Sequence, residues 1–405
     1  MFSVTSRFVR LAVILGLITA VGPFAVDMYL PALPSMGKSL GAGAGAVQMS
    51  LMAFFVVIGI CQLIYGPLSD MVGRKLPIYG GLVIFIAGSI GCALSPDITT
   101  LIGFRVLQAF GACAGMVVPR AIVRDLHTGP DATRLMSLLM LTVSISPILA
   151  PLTGSFVIGA FGWRGVFVAL TIAAVIALGL ALTQLKETRP LDARDESSWG
   201  SAFNAYGRLL RDGEFIGLNL VGAFGTSSFF VYLGSASFVL INHYGLTPRL
   251  FSLCFALNAA GFFGFSQMTG WLTQRYGLAR VIRVAAAGFA LPMLAMAALF
   301  ALSINNLLAL MLPLFVGYGF LGLVIPASAV LALEHHGEIA GTASALMGSL
   351  QIIIGSALMA LAGLFANGRP EPMVFAIAAC AASTFLVTWI TLKRAGPVAS
   401  VAIAQ

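Results

Sequence analysis

Apolar stretches of about twenty residues recur along the whole chain, broken only by short Gly, Pro or charged clusters. A helix of that length crosses the hydrocarbon core of a bilayer and satisfies its own backbone hydrogen bonds, which lipid cannot do for it. The windows fall at about 8–34, 46–68, 75–95, 97–122, 133–160 and 163–186, then 214–242, 249–273, 278–302, 304–333, 339–366 and 371–392. Between the two sets lies the one long hydrophilic stretch, ETRPLDARDESSWGSAFNAYGRLLRDGE, whose mixed charges read as a solvated connector. The spacing predicts an all-α membrane protein of twelve spans: a six-helix unit over 1–186, a connector over 187–213 and a second six-helix unit over 214–405. Only Ser-Pro-Asp at 95–97 separates the third span from the fourth.

Charge placement agrees with this count. Of 405 residues, 59% are hydrophobic and 9% charged, whereas a soluble domain carries about a quarter charged residues. With the N-terminus inside, seventeen of the 22 Lys and Arg fall on the cytoplasmic side; Lys38, Arg164, Arg249 and Arg369 fall outside, and Arg105 lies within a span. That asymmetry follows the positive-inside rule and puts both termini in the cytoplasm. The net charge of +8 therefore reflects topology; it forms no compact patch for nucleic acid. The apolar run behind Arg7 and Arg10 reads as a retained first helix, because Asp27, Pro31 and Pro34 separate it from the small-residue stretch that could serve as a cleavage site.

Several chemistries are excluded. All five cysteines sit in apolar stretches and read as small buried hydrophobes rather than a disulfide framework. Glu334-His335-His336-Gly337-Glu338 occupies a short turn and lacks metal-ligand spacing, so no metal site is expected. The chain has no phosphate-cradling Gly-x-x-x-x-Gly-Lys loop. No cofactor is expected, no direct use of ATP, and no enzymatic activity.

Two charges break the pattern. Asp27 lies in LAVILGLITAVGPFAVDMYLPAL and Arg105 in LIGFRVLQAFGACAGMVV. Ionisable groups inside a membrane are costly and mark proton or substrate routes. If the first span runs outward and the fourth inward, both charges lie roughly 12 Å below the outer boundary at 1.5 Å per residue. The expectation is a pair, with Gln108 one turn from Arg105 beside it. Desolvation would favour the neutral acid and the guanidinium the carboxylate, so a small movement could change the protonation of Asp27.

The two halves also repeat. Gly66-Pro67-Leu68-Ser69-Asp70-Met71-Val72-Gly73 and Gly270-Trp271-Leu272-Thr273-Gln274-Arg275-Tyr276-Gly277 share Gly-x-Leu-(Ser/Thr)-x-x-x-Gly after a helix. Parallel repeats of this kind are one solution to alternating access. In the first copy, Gly66, Asp70, Gly73 and Arg74 are expected to form a cytoplasmic latch in which Asp70 meets Arg124, or alternatively Arg120. In the fifth span, Pro147 and Pro151 bend the helix and Gly154 permits close packing, a candidate hinge.

These motifs resemble those of the major facilitator superfamily, and more closely its Bcr/CflA drug-resistance proton antiporters. Gly66-Pro67-Leu68-Ser69-Asp70-Met71-Val72-Gly73-Arg74-Lys75 resembles the family's loop after helix two, and Arg105-Val106-Leu107-Gln108 its helix-four Arg-x-x-Gln motif, implicated in proton coupling. Ala150-Pro151-Leu152-Thr153-Gly154-Ser155 resembles the helix-five antiporter motif, with Ala150 and Ser155 where glycines are usual. Asp27-Met28-Tyr29-Leu30-Pro31-Ala32-Leu33-Pro34 and Gly341-Thr342-Ala343-Ser344 resemble the subfamily specifically. The resemblance implies a multi-pass bacterial inner-membrane protein in which Asp27 takes part in drug and proton recognition, exchanging protons for lipophilic compounds such as phenicols or bicyclomycin. Helical spacing adds Phe24, Asn219, Thr226, Phe230, Asn258 and Tyr318 as candidate substrate contacts. A six-plus-six arrangement can work as a monomer. The nearest alternative is a proton-coupled uptake symporter for a small metabolite; a non-transporting receptor on the same scaffold is a more distant one.

Overall fold

The computed structural model describes residues 6–127, 129–189, 199–334, 336 and 339–394. The first half comprises α1 (Ser6–Asp27), α2 (Leu33–Ser39), α3 (Ala44–Val72), α4 (Lys75–Leu94), α5 (Ile98–Leu126) and α6 (Gly129–Gln184). After α7 (Trp199–Leu209) come α8 (Gly213–Ser237), α9 (Pro248–Ser266), α10 (Thr269–Tyr276), α11 (Leu278–Ala301), α12 (Leu307–Leu333), α13 (Ala340–Leu364) and α14 (Glu371–Arg394). Eleven helical stretches among the described residues are long and apolar enough to cross a membrane. One of them, within α6, runs to 54 residues and bends at Gly162, whose φ of 71° is non-helical, so its two arms supply the fifth and sixth spans.

Large apolar side chains such as Phe156, Phe161, Leu291, Leu308 and Leu364 stand exposed, as they must where lipid replaces water as the solvent. Within the first half α1, α3 and α4 pack on α5, and α6 packs on α1 and α4. Within the second, α8, α9 and α11 pack on α12, and α14 on α8 and α11. The halves meet along α3–α13 and α6–α9.

The sequence repeat has a structural counterpart. Gly73 (φ 92°) and Gly277 (φ 79°) both end a helix in left-handed backbone, where a side chain would be strained. The weak Ser-Pro-Asp break is sufficient because Asp97 caps α5, accepting from the Thr100 backbone N–H at 2.9 Å.

Two expectations are corrected. The first span does not continue as a regular helix to residue 34: α1 ends at Asp27, followed by a tight 3-10 turn over Leu30–Ala32 and then α2. Pro31 has no N–H to offer the Asp27 carbonyl, so the ladder loosens there. Nor is the connector wholly a solvated strand. Residues 190–198 lie outside the described residues, but α7 packs on α13, buries Tyr206 and Leu209 and donates the Tyr206 hydroxyl to the Leu63 carbonyl at 3.3 Å. Two apolar residues three apart give this short helix one adhesive face.

Candidate functional site

A cavity of about 270 Å³ opens between the two halves. Its wall comes from α1, α3, α5 and α6 on one side and α8, α9, α12 and α13 on the other, and is almost entirely apolar. Phe55 of α3 stacks on Phe230 of α8 across the divide, ring centroids 4.2 Å apart. Thr226 supplies a hydroxyl, and Asp27 is the one ionisable side chain in the lining among the described residues.

Asp27 and Arg105 are both buried, yet they do not pair. No ion pair joins them among the described residues. The Asp27 carboxylate accepts from the Ser146 hydroxyl at 2.9 Å. Arg105 donates to the Ala25 carbonyl at 3.1 Å and to Gln108 Oε1 at 2.6 Å, and its guanidinium lies 4.6 Å from the Tyr29 ring centroid and 4.2 Å from that of Phe54. Arg105 stands level with the end of α1 but is not directed at Asp27. Ala25, near the end of α1, and Tyr29, in the turn that follows it, both meet Arg105 of α5, whereas Asp27, midway between them, is directed to Ser146 of α6. Arg105 therefore grips α1 beside Asp27 without touching its carboxylate, and aromatic faces take the place of a counter-ion. Gln108 extends the hold, donating to Ser89 Oγ at 2.7 Å.

The other candidates divide. Thr226 and Phe230 line the cavity with Asp27. Asn219, a turn or two along α8, accepts from Gln351 Nε2 at 3.3 Å. Asn258 donates to the Tyr232 hydroxyl at 3.0 Å and Tyr318 donates to the Ser228 carbonyl at 3.1 Å, both inside the second half. Phe24 packs, half-buried, against the core. These four are outside the cavity wall. Pro147 is part of it. Pro151 offers its carbonyl to Ser252 of α9 at 2.9 Å, and Gly154 lies so close to the chain just after α1 that a Cβ there would collide with the Met28 carbonyl oxygen.

The loop after α3 also differs from expectation. Asp70 pairs with Arg74, one turn on, at 2.7 Å, rather than with Arg124 or Arg120. Arg74 also forks onto Asp125 at 2.8 and 3.2 Å and reaches Ser69 at 2.7 Å, while Glu187 accepts from its backbone N–H at 2.9 Å. The ends of α3, α4, α5 and α6 are thereby tied together. Burial opposes the charge of Arg74, but hydrogen bonding from Asp125 and the field of Asp70 and Asp125 outweigh it, and its pKa lies above the ordinary arginine value. Gly66 and Gly73 frame this cluster. Arg124 turns away, its Nη1 3.3 Å from where a Cβ on Gly341 of α13 would sit. Of the discounted histidine turn, His336 contacts Asp212 at 3.1 Å, whereas His335, Gly337 and Glu338 lie outside the described residues. No cluster of metal-ligating side chains occurs among the described residues.

Comparison with known proteins settles the family. Residues 15–358 match the model of the Major Facilitator Superfamily. The chain belongs to that superfamily. It is 37% identical over 362 residues to the uncharacterized MFS-type transporter YdgK of Bacillus subtilis, covering 87% of this chain and 88% of YdgK. It is 30% identical to a chloramphenicol resistance protein of Pseudomonas aeruginosa (86% and 83% covered) and 31% identical to multidrug resistance protein D of Escherichia coli (88% and 89%). Among solved structures, a D-xylose–proton symporter superposes with a TM-score of 0.75 over 95% of this chain and 97% of its own, at 13% identity, a likeness of fold alone. The superfamily makes this chain a multi-pass membrane transporter and not an enzyme.

Proposed function

We propose that this protein is a drug/proton antiporter of a bacterial inner membrane, built as two six-helix bundles (1–186 and 214–405) joined by 187–213, with both termini cytoplasmic, and active as a monomer. The relatives named for chloramphenicol and multidrug resistance support export of lipophilic antibiotic-like compounds, phenicols or bicyclomycin among them. One observation carries the reading: an apolar cavity between the halves holds a single buried carboxylate. Such a wall suits varied lipophilic molecules and gives a sugar or polar metabolite few partners, which disfavours the symporter.

Asp27 takes a proton from outside and releases it inside as drug enters the cavity. Arg105 and Gln108 act through α1, fixing its register so that Asp27 faces the cavity. Asp70, Arg74 and Asp125 hold the cytoplasmic end of the first bundle rigid, and Arg124 meets the second bundle at Gly341. The backbone donors missing at Pro147 and Pro151, with Gly154 as the close-packed point beside them, let α6 flex. The membrane potential supplies about 2.3 kcal/mol per charge per 100 mV. One carboxylate implies one proton per cycle, so export of a neutral drug is electrogenic. A susceptibility panel in an efflux-deficient host tests this: wild type confers resistance to lipophilic antibiotics and Asp27→Asn does not. Resistance that survives the substitution refutes the assignment.

A further inference from the structure

We infer that Ser146 is a positioning residue through which the protonation of Asp27 sets the local helix geometry of α6 at Pro147. The inference rests on the reading of Asp27 as the proton site and adds the element that senses it. Ser146 is fully buried, and its hydroxyl donates to Asp27 Oδ2 at 2.9 Å. It immediately precedes Pro147, and Val143, Pro147 and Asp27 line the same cavity.

Pro147 has no N–H, so the carbonyl of Val143, four residues earlier, lacks its usual helical donor. A helical serine reaches the carbonyl three or four residues back, as Ser228 and Ser328 do here toward Gly225 and Ile325. By that rule the Val143 carbonyl is a second acceptor for the hydroxyl that now serves Asp27. When Asp27 is a carboxylate, Ser146 must donate to it, because the carboxylate can only accept. When Asp27 takes up a proton, its new O–H donates to Ser146 Oγ, and the serine O–H is released to the Val143 carbonyl. No atom but the incoming proton is gained. The hydrogen bond between α1 and α6 reverses direction, and the open carbonyl beside the proline gains a side-chain donor, which changes the helix geometry at the cavity wall.

Nothing else competes for this exchange. Arg105 of α5 meets the Ala25 carbonyl of α1 and the ring of Tyr29 in the turn beyond it, and neither contact involves the Asp27 carboxylate. The lining contributed by α3, α5, α8, α9, α12 and α13 brings no other titratable side chain to Asp27 among the described residues.

The test uses full-length protein in detergent and in proteoliposomes, with chloramphenicol as the probe drug. Drug-induced proton release is followed against pH, and proton-driven uptake is compared with drug counterflow, which needs no proton. Ser146→Thr keeps a hydroxyl and should behave as wild type. Ser146→Val, its isostere without the hydroxyl, should shift the release profile by about one pH unit to higher pH, because a donor to the charged form is lost. It should also cut proton-driven uptake at least tenfold while counterflow stays within twofold. Should Ser146→Val fail to fold, Ser146→Ala serves the same comparison, with Ser146→Thr again as the rescue. A wild-type profile and coupling in the hydroxyl-free variant, or the same loss in Ser146→Thr, overturns the proposal. Proton release that persists in Asp27→Asn instead overturns the reading of Asp27, a separate and recognisable failure.

Discussion

Removing either buried charge distinguishes an ion pair from two independent sites. Were Asp27 and Arg105 paired, neutralising the acid would strand a guanidinium in the membrane interior at a cost of about 3–5 kcal/mol, and removing Arg105 as well would recover most of it. Here Asp27 has Ser146 as its partner and Arg105 has Ala25, Gln108 and two rings. Asp27→Asn keeps an oxygen for Ser146, so its cost stays within the roughly 0.6–1.7 kcal/mol of an interhelical hydrogen bond in a membrane. Arg105→Met loses two hydrogen bonds of that kind and two desolvated cation–π contacts of about 2 kcal/mol each. Against this stands relief from burying a charge, worth several kcal/mol, which leaves a net loss of about 1–3 kcal/mol. Because the two side chains share no partner and communicate only through the α1 backbone, the coupling term in a double-mutant cycle should stay below about 1 kcal/mol. Equilibrium unfolding of the four proteins in mixed micelles measures it. A favourable coupling above about 1.5 kcal/mol would falsify the separate-site geometry.

Three further outcomes follow from packing and capping. Gly154→Ala should destabilise the protein by about 1–3 kcal/mol, because its Cβ would collide with the Met28 carbonyl oxygen. Gly159→Ala on the same arm has nothing within 4 Å and should be neutral; equal melting temperatures for the two variants would contradict the close approach of α6 to the chain just after α1. Burial works against the Asp212 carboxylate, but the Phe215 and Glu214 N–H groups and His336 hold its pKa below the usual aspartate value. A depressed carboxylate stabilises above its unfolded pKa and loses that contribution as pH falls through the folded one. Asp212→Ala should therefore melt below wild type at neutral pH and converge with it below about pH 4; a gap that widens on acidification would refute the cap. Arg74→Lys keeps the charge but cannot fork onto Asp125. Transport should fall by several-fold with drug binding retained, and unchanged transport would deny the cluster a conformational role.

The spans were legible because lipid imposes length and apolarity on every crossing, and the left-handed glycines at 73 and 277 because a helix end that needs positive φ selects them. Depth along a helix followed from counting residues, so Arg105 was placed level with Asp27. Direction around the helix did not follow, because it depends on which neighbour each face meets: Arg105 chose Ala25 and Tyr29 over Asp27. The same ambiguity hid Asp125: Arg124 and Asp125 are adjacent and point about 100° apart, and it is Asp125 that meets the loop, through Arg74, while Asp70 pairs with Arg74 rather than with Arg124 or Arg120. Ser146 gave a faint signal, a serine directly before a proline in an apolar span. Most such hydroxyls bond back to their own helix, as Thr153 and Ser155 do here, so sequence could not single it out.

The central claim is that the carboxylate at position 27 exchanges its proton for drug. Purified protein in weakly buffered detergent, titrated with chloramphenicol while a pH indicator is read, tests it most directly. Wild type should release one proton per drug bound and Asp27→Asn none, with Asp27→Glu intermediate. Equal release from wild type and Asp27→Asn would place the exchange on some other group and contradict the account.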